Sequence, residues 1–487
     1  MFGLVCPFLL GVSLLNERTS GSLVDPPEEL ADRVAGFLDQ IAHEADVIEV
    51  WARRDRETGR MLGEPDEQRR LGERLAVRTW RGNAMGCATA ADSSDDAWWA
   101  AVREALDTAS PSPVPPPGPP SARSPEPSIF DPALPEALVE QDLLYRLARA
   151  LEENSRHEAE RIPGLSRLTG QVTFAARQRV VGNSVGGVLS EQLGELFCEV
   201  DLDGRHGEQV RIVHLADSFL PFALMGARAW RSMPRATAEP TPGERAPVGV
   251  VLHPRVLEAL LRAGLAPLLA EPEDGTPPPF SEGELIMDPA ITLVDDPGLD
   301  GLAGSRAFDD EGVATRRTAL IIRGRMTQHL RGRQSAQRTG RPATGSMIRS
   351  ARKTESNRVV PSSVAFGEAC APALGVTCVL MERGQPQFHD LVADASRLLV
   401  LHALAGDLQV DPVTTAFVAT IRWATLLEDG RPAHALAPGA WRIRGHLLAL
   451  ASDHGLLHGL VPCRDVLDTG TGILPYARGE VMLEATT

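Results

Sequence analysis

The stretch from Ser110 to Ser128 is dominated by proline, and it constrains the rest of the chain more than any other feature. Proline fixes φ and has no backbone N–H, so this stretch cannot continue a helix or fill a central strand. It predicts an extended linker or exposed loop with regular structure on either side. Upstream, Leu30, Val34, Phe37, Leu38, Ile41 and Ala45 recur at helical spacing, and Val47 to Trp51 then switch to strand-like residues. Leu75, Val77 and Thr79 alternate into a turn at Arg81-Gly82-Asn83. The Ser93/Ser94 pair then caps a helix bearing Trp98, Val102, Ala105 and Leu106.

Downstream, Leu138, Leu143, Leu144, Leu147 and Leu151 mark an amphipathic helix. Short apolar runs at Gln171 to Ala175, Arg179 to Val181 and Leu196 to Val200 read as strands. Proline-rich breaks at Met233 to Pro247 and Glu271 to Pro279 flank a helix over Pro254 to Ala270. From Glu282 the chain is rich in Gly, Val and Thr and reads mostly as β, with a helix near His389 to Leu401. The expected organisation is an extra N-terminal segment 1–26, an α/β domain 27–108, a proline-rich linker 109–130, a central α+β region 131–240 and a C-terminal β-rich domain 241–487. The fold class is α+β, with a mixed sheet in the N-terminal part and a mostly antiparallel C-terminal domain.

The 487 residues are enough for two or three domains, each with its own core. With 65 Asp and Glu against 49 Lys and Arg, the net charge of -16 repels polyanions. No nucleic-acid or anionic-membrane partner is expected. The six cysteines form no CxxC pair, which excludes a zinc ribbon and a thioredoxin motif and suits a reducing compartment. The apolar start Phe2 to Leu15 is too short to span a bilayer, and no Lys or Arg precedes it. The location expected from these features is cytoplasmic.

One long motif stands out. Ile291-Thr-Leu-Val-Asp295-Asp296-Pro297 is followed by Gly304-Ser-Arg306-Ala-Phe308-Asp309-Asp310-Glu311-Gly312-Val313-Ala-Thr-Arg316. Both acidic groups carry turn chemistry, with Phe308 anchoring the loop between them, and the second reads as a solvated, self-capped turn in preference to a metal site, since no imidazole lies nearby. Asn183-Ser184 and Gly186 precede it, and Thr344-Gly345, Arg349, Asn357 and Glu428-Asp429-Gly430 come after it. Together these resemble the TldD/PmbA metallopeptidase family from about Pro27 to the end of the chain. The resemblance implies a two-component enzyme, in which a TldD-like subunit carries zinc on an HExxxH helix and a PmbA-like (TldE) subunit completes a chamber for short or unfolded peptides. Some members are linked to maturation of ribosomally made peptides.

In the family, the HExxxH helix follows a Val-Val-Leu strand. Here that strand is Val250-Val251-Leu252, and the motif positions hold Arg262-Ala263-Gly264-Leu265-Ala266-Pro267. Arg262 stays protonated, Ala263 cannot act as a base and Pro267 offers no ligand atom. The expectation is a PmbA-like subunit with no catalytic residue and no cofactor of its own, whose partner is a zinc-bearing TldD-like chain and whose ligand is a peptide. Arg262, Arg306, Asp309, Asp310 and Arg349 are the candidate substrate contacts. Two rival readings remain: a stand-alone peptide-binding scaffold, and an autonomous metalloenzyme using His454 and His458, which stand four apart with Gly455 where a general base would be needed.

Overall fold

The computed structural model describes residues 27–63, 67–90, 92–139, 143–159, 168–202, 206–213, 236–238, 245–349, 372–393, 396–405, 408–411, 413–448, 455–457, 459–468 and 472–486. Two sheets dominate them, so the fold is α+β.

The first sheet has the order β4-β3-β2-β1-β5-β6-β7 and is antiparallel throughout. Its strands are β1 (Val47–Met61), β2 (Glu67–Arg81), β3 (Ala84–Thr89), β4 (Ser110–Pro111), β5 (Leu168–Asn183), β6 (Val188–Leu202) and β7 (His206–Ile212). Strands from both sides of the proline-rich stretch meet directly, because β1 pairs with β5 over most of its length, Trp51 opposite Val181. Strand residues alternate between two faces. Ile48, Val50, Ala52, Val77 and Val180 point to one face, beneath α1 (Pro27–Ile41) and α2 (Asp95–Asp107). Ser94 caps α2 by accepting the Ala97 N–H. Farther along that face, α3 (Ala133–Val139) and α4 (Leu143–Ala159) cover Val172, Phe174 and Leu196. Trp51, Ala76 and Val181 lie on the opposite face.

The second sheet joins thirteen of the described strands, mostly antiparallel with three parallel pairings. At its centre, Arg245–Leu252 lies between Gly472–Ala485 and Arg397–Leu404. Its inward residues Val248, Val250 and Leu252 join the largest core, with Leu257, Leu260 and Leu261 of the following helix packed on them. The helix expected near His389 to Leu401 is shorter than its sequence suggests. Only Phe388–Ala393 is helical, and Arg397–Leu404 is a strand. Leu398 to Leu401 are all buried, so this run fills both faces of a central strand, a pattern that periodicity cannot separate from a buried helix. Glu428-Asp429-Gly430 makes a hairpin turn, with both Asp429 and Gly430 at positive φ (48° and 71°) as the tightest such turns require.

Candidate functional site

The second face of the first sheet meets the motif Asp295–Arg316, and there a set of charges is buried. Trp51, Ala76 and Val181 pack against Ala307 and Phe308. Around this apolar patch the three consecutive carboxylates Asp309, Asp310 and Glu311 are 1–5% exposed. The sequence reading of a solvated acidic turn is therefore corrected. Its self-capping part holds, because Asp309 Oδ1 accepts the Glu311 and Val313 N–H groups at 2.9 and 3.0 Å. Burial comes from partners far away in the chain.

Each carboxylate fastens a different neighbour. Asp309 Oδ2 accepts the Met347 N–H at 3.1 Å. Asp310 accepts the Trp51 indole N–H at 3.2 Å, Arg179 Nη1 at 2.5 Å and the Arg349 N–H at 2.5 Å. Glu311 accepts Arg78 Nη1 at 3.0 Å and the Arg333 N–H at 3.2 Å, the latter at the start of a helix, α6 (Arg333–Thr339). Glu49 of β1 completes the group, taking Arg78 Nε at 2.7 Å and Arg333 Nη2 at 2.8 Å, with Arg349 Nη2 at 3.8 Å. Sequence reasoning missed Glu49, Arg78 and Arg179; the one available signal was the placing of charges beside Trp51, Val77 and Val180.

The electrostatics follow from this pairing. Burial acts to raise the Glu311 carboxyl, but Arg78 and Arg333 overcome it and hold the group at about 2. Burial likewise opposes ionisation of Asp310, and Arg179 and Arg306 hold it below the usual carboxylate range. Among the described residues no cation is bonded to Asp309. Burial, then the neighbouring Glu311 charge, push it up to about 7. Between the ordinary Asp value and about 7, folded Asp309 keeps a proton that the unfolded chain has lost. Its contribution to stability is therefore full below the unfolded value and fades as pH rises through about 7. The stability of Asp309→Asn, followed by urea denaturation across this range, is expected to fall less steeply with pH than that of the wild type; parallel slopes would contradict the assignment.

The proline-rich stretch runs along the same seam. Trp80 Nε1 donates to the Val114 carbonyl at 3.0 Å and Asn183 Nδ2 to that of Gly118 at 2.8 Å, which tie it to the first sheet. Ser121 and Arg123 donate their N–H groups to Gly312 and Ala307 carbonyls, both at 2.8 Å, which tie it to the motif. Proline lacks donors, and these four bonds accordingly use carbonyls and non-proline N–H groups of the stretch.

The structure separates the sequence candidates into two groups. Asp309, Asp310 and Arg349 come together in the buried network. Arg306 stands at its edge; its Nη1 lies 4.0 Å from Asp310 and has no hydrogen-bond partner among the described residues. Arg262 lies elsewhere, in the π turn Leu261–Leu265 that continues the helix α5 (Pro254–Leu260). It donates Nε to Glu258 at 2.7 Å, and Nη1 and Nη2 to the Val376 and Thr377 carbonyls at 2.6 and 2.7 Å. A π turn places residues five apart on one face, and here Arg262 and Pro267 hold that spacing. A zinc centre needs about three nitrogen, sulfur or carboxylate ligands, and the residues at 262, 263 and 267 do not fit one. Nearby, Cys378 is buried, and burial pushes its thiol up to about 12, which keeps it from acting as a thiolate. Among the described residues no group of three or more His, Cys, Asp and Glu side chains is placed to hold a metal ion. His454, His458 and Asn357 lie outside the described residues. No described helix is long and apolar enough to cross a membrane.

The family described as PmbA/TldA metallopeptidase C-terminal domain matches residues 245–454, which contain both the buried carboxylates and Arg262. A metalloprotease TldD homolog from Haemophilus influenzae is 29% identical over 149 residues, 31% of this chain and 27% of that protein. The chain thus spans less than a third of the length of the curated relatives it matches. The crystal structure of TldE from Thermococcus kodakarensis superposes with a TM-score of 0.68 at 19% identity, covering 93% of this chain and 100% of that one. A Thermotoga maritima protein described as a modulator of a DNA gyrase gives 0.65 at 17% identity, covering 93% and 100%. The matched region and the shared fold lead to one conclusion: residues 245–454 carry the PmbA/TldA metallopeptidase C-terminal domain, in a chain with the fold of the TldE structure.

Proposed function

We propose that this chain is a TldE-like subunit of a two-component zinc metallopeptidase, completing the chamber in which a TldD-like partner cuts short or unfolded peptides in the cytoplasm. Maturation of a ribosomally made peptide is one setting that suits it. The observation that carries the reading is Arg262: a side chain that stays protonated stands at the first ligand position, and its donors are bonded to Glu258, Val376 and Thr377. Ala263 cannot activate water and Pro267 cannot bind metal. The likeness to a TldE structure over nearly the whole chain supports the same reading.

Co-expression with a TldD-like protein tests it. The expected result is a stable complex in which zinc is carried by the partner and peptide cleavage requires both chains, while the isolated chain cleaves nothing. Stoichiometric zinc on the isolated chain, lost in a His454→Ala, His458→Ala variant, would overturn the proposal in favour of an autonomous metalloenzyme.

A further inference from the structure

Arg262 closes a cross-link between segments more than a hundred residues apart. Its three donor nitrogens each have their own acceptor: the Glu258 carboxylate one turn back on the helix, and the carbonyls of Val376 and Thr377. The same short segment is gripped from its other side. Asp295 accepts the N–H groups of Thr377 and Cys378 at 2.9 and 2.7 Å and the Thr377 hydroxyl at 3.3 Å. The backbone from 376 to 378 is thus held by a cation on its carbonyls and by an anion on its amides. Asp295 opens the motif that continues to Asp309, so this clamp connects the π turn to the buried carboxylate network.

We infer that Arg262 is a built-in cation, doing at this helix the cross-linking that a bound metal ion would otherwise do, and that Glu258 with the two carbonyls forms a cradle selective for a planar guanidinium. Arg262 is on this view a positioning residue. It fixes the helix and its π turn against the 376–378 segment. A guanidinium suits the cradle because its donors diverge in one plane and can meet three separate acceptors, whereas an ammonium offers them from a single nitrogen. Glu258 is buried, so removing Arg262 takes away the guanidinium bonded to its carboxylate. Since 29% of the Arg262 side chain is solvent-exposed, a small cation could enter the space left behind. The inference deepens the zinc-free reading and rests on it for the equivalence with the family's metal helix.

Chemical rescue of the isolated chain tests the cradle. Arg262→Ala is expected to melt several degrees below the wild type, and millimolar guanidinium or methylguanidinium chloride should recover a large part of that loss. Sodium chloride at equal ionic strength and urea at equal concentration should not. The wild type should show no such gain, and rescue should vanish in Arg262→Ala, Glu258→Gln. A wild-type melting temperature for Arg262→Ala, or no more recovery with guanidinium than with sodium, would overturn the inference. Should Arg262→Ala not fold, Arg262→Lys supplies the readout: it should fold but melt below the wild type, and equal melting would overturn the selectivity for a planar cation. No partner or peptide enters these measurements. Failure here leaves the subunit assignment standing, and failure of the partner experiment leaves the cradle standing.

Discussion

Replacing Glu49 by glutamine is expected to destabilise the protein by about 3–5 kcal/mol, the cost typical of removing one partner from a buried charge group. The side chain is 1% exposed and faces Arg78, Arg333 and Arg349, which come from β2, from α6 and from the segment after Met347. Arginine does not shed its proton, so each guanidinium would stay charged inside a seam that holds one anion fewer. Arg78 shows how strongly the group is set. Burial acts to lower its pKa, yet Glu49 and Glu311 hold it above the ordinary arginine value. Glutamine keeps the shape and one acceptor oxygen and loses the charge, so the loss measures electrostatics rather than packing. Urea denaturation followed by far-UV circular dichroism gives the number, and the cycle with Arg78→Met separates the Glu49–Arg78 coupling from the rest. A loss under about 1 kcal/mol, the range of an exposed ion pair, would mean that water reaches the seam.

Glu49 also shows where a sequence stops being legible. The run Val47-Ile48-Glu49-Val50-Trp51 reads correctly as strand, and its alternation puts Glu49 and Trp51 on one face. Nothing local says that this face is covered, because what covers it is the Asp309–Glu311 turn, and Arg78 and Glu311 are 233 positions apart. The turn itself was legible in part: its Asp309 self-capping is local chemistry, while its burial is not. Arg262 follows the same rule. Its failure as a metal ligand is a property of the residue type and is readable from the sequence, but two of its three acceptors lie 114 and 115 positions away. The helices with clear caps or periodicity, such as α1 and the Ser94-capped α2, follow from local rules, whereas the uniformly apolar run Leu398 to Leu401 became a strand only because two neighbours flank it. The pairing of β1 with β5 was hidden by the proline-rich stretch, whose composition marks a break in regular structure but not a break between packed units.

Trp51→Ala is expected to cost about 3–5 kcal/mol, the usual range for truncating a buried large aromatic. The indole is 2% exposed and packs with Ala76, Val181, Ala307 and Phe308, the small apolar patch that joins the first sheet to the motif. It also donates to Asp310 at 3.2 Å, and the Arg349 guanidinium lies over its ring at 5.5 Å. Trp51→Phe divides these contributions. Phenylalanine retains an aromatic face and most of the volume but loses the donor, and Asp310 keeps Arg179 and the Arg349 N–H. The lost hydrogen bond alone should then cost about 1 kcal/mol, so Trp51→Phe should be much milder than Trp51→Ala. The same denaturation experiment decides between two pictures of the seam. If the phenylalanine variant is as unstable as the alanine one, the indole bond to Asp310 dominates and the apolar patch is incidental. If the two differ as expected, the sheet is held against the motif mainly by packing around Trp51 and Phe308, and the surrounding charges set its orientation. Truncating Phe308 as well should then add less than its single-variant cost, because the two rings share one patch and the first cavity already loosens the second.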